Sequence, residues 1–327
     1  MMSKPETVLE TKDLVIGYGK KVIAQNLNLT ANTNEIICLL GQNGVGKSTL
    51  LRTISNLQSS LYGDIIIEKN DIRLFDPQEL AQVLGIVTTE KIGAANMTVR
   101  ELVTLGRYPY TNWLGKISNA DQEKIDDSIA QCRIDYLVDK KIGDLSDGQR
   151  QKAMIARVLA QDTKIILLDE PTAHLDLINR AEIMRLLSDI KGKKSIIIST
   201  HELPLSMQFA DKLWLMNFNQ PFISGTPEDL AVAGKINQSF HENEFEIDVL
   251  TGKVNFQRNI KGTINLKGEG SALLWTSQAL QRVGYQINKD SEKKIEVTLV
   301  KSSIQWSLIS NNYTESGQSI ELLLKQL

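Results

Sequence analysis

The residues with the clearest chemistry in this chain are Lys47 and Ser48, which close the segment Gly41-Gln42-Asn43-Gly44-Val45-Gly46-Lys47-Ser48. The segment fits G-x-x-x-x-G-K-[S/T] without a gap and is a pattern for holding a polyphosphate. Its glycines let the backbone wrap close to phosphate oxygens, so that successive N–H groups and the start of the following helix supply partial positive charge. Lys47 adds a full charge. Ser48 can place its hydroxyl on Mg²⁺, whose octahedral shell is completed by phosphate oxygens and water. Gln42, Asn43, Val45 and Thr49 belong to the same phosphate-facing stretch.

A second set follows more than a hundred residues later, where the apolar run Ile165-Ile166-Leu167-Leu168 ends in Asp169-Glu170. A strand that stops there brings Asp169 beside the phosphate loop, where its carboxylate suits the magnesium shell. Glu170, one step further, can point at a terminal phosphate and polarise an attacking water. Two acids after a strand are commonly a solvated turn. The phosphate loop upstream is what gives this pair a chemical reading.

These groups must be positioned by a sheet. Ile36-Ile37-Cys38-Leu39-Leu40 reads as a strand buried on both faces, followed by the glycine-rich loop and a helix through Leu50, Leu51 and Ile54. Ile165 to Leu168 and Ser195 to Ser199 read as further buried strands, separated by a helical stripe of Ala181, Met184, Leu187 and Ile190. This alternation predicts an α/β fold with a mainly parallel sheet. Upstream, Val8 to Tyr18 and Val22 to Leu29 read as strands of an antiparallel β subdomain, with a turn at Gly17-Tyr18-Gly19. Met97 to Ala160 reads almost wholly as helix, an inserted helical subdomain. The composition shifts near Arg258-Asn259-Ile260-Lys261-Gly262, so the expected organisation is a main domain over 1–258 and a small α/β domain over 259–327.

Composition narrows the functional classes. The 327 residues carry 37 basic and 39 acidic side chains, a formal net charge of −2, which argues against a chain built to coat nucleic acid or an anionic membrane. Cys38 and Cys132 are too few for a disulfide scaffold and read as reduced core thiols. Charged residues interrupt the N-terminal stretch, so no secretion signal is legible and a cytosolic chain is expected. No apolar run approaches the length of a membrane span.

The segment Leu145-Ser146-Asp147-Gly148-Gln149 goes further than a generic nucleotide site. It resembles the LSGGQ signature of ATP-binding cassette (ABC) ATPases. Other features resemble that family in the same order: Tyr18 where an aromatic ring stacks on adenine, Ala173-His174-Leu175-Asp176 as the D-loop, and Thr200-His201 as the switch histidine. The resemblance spans about Val8 to Phe256. It implies Mg²⁺-dependent ATP hydrolysis, with Glu170 and His201 catalytic and Tyr18 and Gly41 to Thr49 holding nucleotide. Ser146 and Gly148 open a helix, a second phosphate-binding terminus. Since the chain already has one phosphate loop, the resemblance implies that Ser146, Gly148 and Gln149 cap ATP held by another copy, giving a homodimer. Two positions depart from the pattern. Asp147 replaces a glycine and is expected to point away from the phosphates, and Thr89-Glu90 stands where the family has its Q-loop glutamine, which makes Thr89 the candidate metal contact there.

Thr98 to Thr111, with Trp113-Leu114-Gly115, is similar to the helical segment of ATPases serving importers of iron-siderophore complexes, haem and vitamin B12. This implies transmembrane permease subunits and a separate substrate-binding protein as partners, no nucleic acid, and a peripheral position on the cytoplasmic face of the cell membrane. Tyr108-Pro109-Tyr110 and Trp113 would then be a docking cluster; read from the residues alone, they serve equally as a local core. A soluble cassette ATPase working on ribosomes or DNA, and an exporter ATPase, are the competing readings.

The resemblance does not reach Asn259 to Leu327. There Ile264 and Leu266 suggest a strand, and Leu273, Ala279, Leu280 and Val283 a helix. Ile295-Val297-Leu299 and Ile304-Trp306-Leu308 alternate as strands, and Ile320, Leu323, Leu324 and Leu327 stripe a final helix. No cluster of His, Cys or paired acids marks a site in it, so regulation, dimer support or passive structure are its expected roles.

Overall fold

The computed structural model describes residues 6–89, 95–112, 115–218, 221–240, 245–248, 253–256, 260–310 and 313–327. Glu90, Trp113 and Leu114 therefore lie outside the described residues. The chain divides into two compact units, Met1–Asn255 and Phe256–Leu327.

In the first unit, β1 (Thr7–Tyr18), β2 (Lys21–Leu27) and β3 (Thr30–Asn32) are antiparallel partners, and β1 runs on into pairing with β5. The turn between β1 and β2 falls at Gly19-Lys20, one step later than the sequence suggested, because Gly17 is still registered with Val22 inside the ladder. Tyr18 is thus the last residue of a strand. Next come β4 (Ile36–Leu40), α1 (Lys47–Ile54), β5 (Tyr62–Ile67) and β6 (Asn70–Asp71), then α2 (Pro77–Val83) and β7 (Leu84–Val87). The helical insertion holds α3 (Val99–Thr104), a 3₁₀ segment over Leu105–Tyr110, α4 (Asn119–Gln131) and α5 (Asp147–Ala160). The unit continues through β8 (Ile165–Asp169), α6 (Leu177–Ile190), β9 (Ser195–Thr200), α7 (Leu203–Phe209), β10 (Lys212–Leu215), β11 (Ile223–Gly225), α8 (Pro227–Val232), α9 (Lys235–Phe240), β12 (Phe245–Asp248) and β13 (Lys253–Phe256).

The central sheet has the order β11-β10-β4-β9-β8-β7, parallel except for the β11 edge. Its inner strands β4, β8 and β9 are mainly apolar and buried along their length because both faces are covered. Ile36, Cys38 and Leu40 point into a core shared with the helical insertion, while Ile37 and Leu39 point into a core shared with the antiparallel sheet. Each fully buried Ile or Leu contributes about 1.5–3 kcal/mol, so the sheet is the fixed frame from which the loops at its carboxyl end project. Cys38 and Cys132 are buried free thiols, pushed up to about 12 by burial, and do no acid–base work at neutral pH.

The second unit contains β14 (Gly262–Gly268), α10 (Gly270–Arg282), β15 (Tyr285–Ile287), β16 (Lys294–Val300), β17 (Ser303–Ser310), β18 (Tyr313–Gly317) and α11 (Ile320–Lys325). Its sheet runs β15-β14-β16-β17-β18, with Ile264, Ile295, Val297, Trp306 and Leu308 packed with Ala272, Leu280 and Leu323 of the two helices. The alternating pattern fails at the last residue of Ile295-Val297-Leu299, since Leu299 is exposed. Among the described residues, no helix is long and apolar enough to cross a membrane.

Candidate active site

The phosphate loop leaves β4 and enters α1 through two glycines that only glycine suits: Gly44 at φ +81° and Gly46 at φ +113°, where a Cβ would also lie 2.5 Å from the Ile23 side chain. Lys47, 5% exposed, folds back across the loop and donates to the carbonyls of Gly41 at 2.8 Å and Gln42 at 3.2 Å. Its Nζ also lies 3.7 Å from Glu170 Oε1. Burial pushes this ammonium below the usual lysine value, and the carboxylates of Glu170 and Asp169 pull it back up.

The acids stand where β8 ends. Ser48 Oγ donates to Asp169 Oδ1 at 3.0 Å, which joins the loop to the strand. Glu170 has left the strand in a left-handed conformation, φ +48°, and its Oε2 lies 3.4 Å from His201 Nδ1, just past the end of β9. Lys47, Ser48, Asp169, Glu170 and His201 therefore form one connected cluster, drawn from three neighbouring strands. The register of β8 with β9 sets Asp169 opposite Ser199, a residue the sequence reading passed over except as the end of a strand. Its only sequence signal is that it is a hydroxyl closing an isoleucine-rich strand.

Two of the expected binding residues stand near the loop. The Tyr18 hydroxyl pairs with Thr49 Oγ1 of α1 at 3.1 Å, and Tyr18 is 52% exposed. Thr49 is buried beside this contact. Thr89, two residues beyond β7, is exposed at the same sheet end, since Val87 is registered with Leu168. Among the described residues no hydrogen bond joins Thr89 to Ser48 or Asp169.

The signature segment sits at the start of α5. Ser146 caps the helix by accepting from Gln149 N at 3.3 Å, and the Gln149 side chain reaches back to Ser146 N at 3.1 Å. The cap uses an acceptor lone pair of the hydroxyl, so its hydrogen remains able to donate to a phosphate oxygen. Asp147 turns to Arg150 of its own helix, with Oδ1 3.0 Å from the guanidinium. Gly148 is closely packed: a Cβ there would lie 2.7 Å from Asn179 Oδ1, so a larger residue would displace that side chain. Asn179 is in turn held by Asp176, which caps α6 at 2.9 Å. The signature backbone at Gly148 thus lies close to Asn179, a neighbour that the sequence did not reveal.

Oxygen donors suit Mg²⁺. Ser48 and Asp169 offer one hydroxyl and one carboxylate already side by side, the modest protein share that Mg²⁺ takes when phosphates and water complete its shell. No group of three or more His, Cys, Asp or Glu able to hold a metal ion occurs among the described residues.

In the helical insertion, Tyr108 is 57% exposed, but Tyr110 is built into the local structure. Its ring lies 3.9 Å from the Arg107 guanidinium and its hydroxyl donates to the Gln161 carbonyl at 3.0 Å. Tyr110 thus combines these local contacts with 39% exposure.

The family comparisons agree with this geometry. Residues 24–173 match the ABC transporter family, and residues 261–327 match the family described as iron ABC transporter C-terminal domain. The petrobactin import ATP-binding protein FpuD of Bacillus anthracis is 35% identical over 250 residues, 76% of this chain and 92% of that protein. The ferric enterobactin transport ATP-binding protein FepC of Escherichia coli K12 is 32% identical over 241 residues, 73% of this chain and 89% of that one. Among solved structures, the ADP conformation of MJ1267, an ATP-binding cassette of an ABC transporter, superposes with a TM-score of 0.61 at 26% identity, covering 67% of this chain and 91% of that chain. The chain belongs to the ATP-binding, ATP-hydrolysing subunits of ABC transporters, and carries the iron ABC transporter C-terminal domain behind its cassette.

Proposed function

We propose that two copies of this chain form a homodimer that hydrolyses Mg²⁺-ATP at two shared sites and drives import of an iron chelate through a membrane permease. The observation that carries the dimer is the signature itself: an exposed helix terminus with a donor-competent Ser146, on a chain whose own phosphate loop is already joined to its own acids. Leu177 and Ile178, at the start of α6 beside it, are 77% and 72% exposed, an apolar pair that a second copy would cover. In this reading Gly41 to Thr49 and Tyr18 hold ATP, and Ser146, Gly148 and Gln149 of the other copy close over it. Ser48 and Asp169 hold Mg²⁺, with Thr89 beside them; the ion neutralises phosphate charge. Glu170 orients and polarises the attacking water, and His201 holds the Glu170 carboxylate and faces the γ-phosphate.

The iron chelate is supported by what the relatives carry, petrobactin and ferric enterobactin, and by the family of the C-terminal segment. Haem and corrinoids are the neighbouring substrate classes. The permease subunits would meet the region from Gly106 to Leu114, where Tyr108 is the exposed aromatic, and place the chain on the cytoplasmic face of the membrane. A separate substrate-binding protein would deliver the cargo. Copurification of the tagged chain from detergent-solubilised membranes, followed by ATP-driven uptake of radiolabelled iron-siderophore, haem or corrinoid, tests this assignment. A chain that brings down ribosomes and no membrane subunit contradicts it.

The organisation that accompanies this reading is a cassette over 1–258 and an accessory domain over 259–327 that regulates the ATPase or supports the dimer. Truncation after Arg258 should change ATPase activity or dimerisation; a truncated protein equally soluble, stable, active and dimeric leaves only a passive role.

A further inference from the structure

We propose that Ser199 is a positioning residue for both acids of the ATPase site, a reading that rests on the roles of Asp169 and Glu170 given above. Ser199 is fully buried and stands directly opposite Asp169 in the ladder of β8 and β9. Its hydroxyl donates to Asp169 Oδ1 at 2.5 Å and at the same time accepts the backbone N–H of Glu170 at 3.0 Å. The Ser199 carbonyl accepts that N–H as well, at 3.1 Å. One side chain thus ties together two neighbouring residues whose carboxylates have different tasks.

Each contact has a consequence. Asp169 Oδ1 takes two hydroxyls, from Ser48 and from Ser199. Ser48 is the hydroxyl that turns to the metal, so the Ser199 hydrogen bond is the one that still fixes the carboxylate when Mg²⁺ binds. A ligating carboxylate held by a charge-assisted hydrogen bond has its orientation set before the ion arrives. Glu170 presents the second case. A non-glycine residue at φ +48° is costly and persists only when its surroundings impose it. The bifurcated grip of Ser199 on the Glu170 N–H imposes it, and the same turn aims the carboxylate towards Lys47 and His201. Alanine at 199 would keep the carbonyl contact and lose both hydroxyl contacts at once.

The test uses the full chain with Ser199→Ala, Ser199→Cys and, in parallel, Glu170→Gln. Mn²⁺ binding is read by electron paramagnetic resonance in the presence of a non-hydrolysable ATP analogue, alongside Mg²⁺-dependent turnover and the melting temperature without nucleotide. Ser199→Ala should weaken the Mn²⁺ Kd and lower kcat, each by roughly tenfold to a hundredfold, the span for losing a hydrogen bond to a charged group. Metal-free binding of the analogue should stay within about twofold, since the phosphate loop is untouched. Ser199→Cys keeps the volume but is only a weak donor, so it should fold like the parent and fall with Ser199→Ala on both readouts. Parent Mn²⁺ affinity and kcat in Ser199→Cys overturn the proposal, as does a Ser199→Ala protein that loses melting temperature while metal affinity and kcat are kept. If Glu170→Gln turns over at the parent rate, the assignment of the acids itself has failed; a slow Glu170→Gln beside a parent-like Ser199→Cys removes only the role of Ser199.

Discussion

The molecule offers two helix N-termini to phosphate, and they are built in opposite ways. At α1, Lys47 is buried, bonded to loop carbonyls and beside Glu170, and Ser48 is bonded to Asp169 across to β8. At α5, the side chains of Ser146 and Gln149 each bond the other's backbone N–H, and Asp147 pairs with Arg150 on the same helix. The first terminus is wired into the sheet that carries the acids; the second is finished locally and left open. A terminus that satisfies its own donors and still exposes a hydroxyl is ready for a ligand brought from outside, which is why one complete cradle and one open cap fit two copies better than one.

The comparison can be broken hardest at its wired end. Glu170→Gln should retain ATP binding and slow turnover by roughly 10²–10⁴, the scale for losing a positioned general base; steady-state phosphate release against nucleotide binding checks this. A rate equal to the parent's would remove Glu170 from the water-polarising role.

Next in size is the far end of the open helix. Arg107 and Asp121, 8% and 9% exposed, pair at 2.8 Å, and Arg107 also donates to the Ala160 carbonyl where α5 ends. Asp121→Ala leaves a buried guanidinium without its partner and should cost about 3–5 kcal/mol in chemical denaturation. Hydrogen bonds from Ser118, with help from Arg107, hold the Asp121 carboxyl below its usual range. The folded carboxyl gives up its proton more readily than the unfolded one, so this stabilisation is present at neutral pH and is lost as pH falls below about 4, towards the folded value. Lys47→Ala should weaken nucleotide binding by about 1.5–3 kcal/mol, a charged hydrogen bond removed. Smallest is Ser146→Ala, about 1 kcal/mol of helix-cap stability. Its sharper signature is selective: turnover should fall while nucleotide binding by a single chain does not, and equal losses in both would place Ser146 in its own chain's site.

Much of this was legible in the sequence, for identifiable reasons. A strand covered on both faces reads as an unbroken apolar run, so β4, β8 and β9 were set by Ile36 to Leu40, Ile165 to Leu168 and Ser195 to Ser199. The phosphate loop was legible because its glycines answer a local backbone demand. The contacts that depend on strand register were not. Ser199 beside Asp169 and Asn179 beside Gly148 are meetings of residues 30 and 31 apart in the chain, set by sheet order and helix packing, which residue type alone does not encode. Likewise β15 and β18 were missed in the second unit: one is three residues long, and the other carries no alternating apolar pattern. The contacts of Tyr110 with Arg107 and the Gln161 carbonyl were likewise not legible, because they exist only once the turn is folded.

The central claim is that the open signature of one copy completes the wired site of another. Sedimentation of the Glu170→Gln protein with Mg²⁺-ATP, over a range of concentrations, measures this directly. The account predicts a dimer that holds two nucleotides and reverts to monomer when ATP is withdrawn. A strict monomer under those conditions, together with full parental ATPase activity at high dilution, would contradict it.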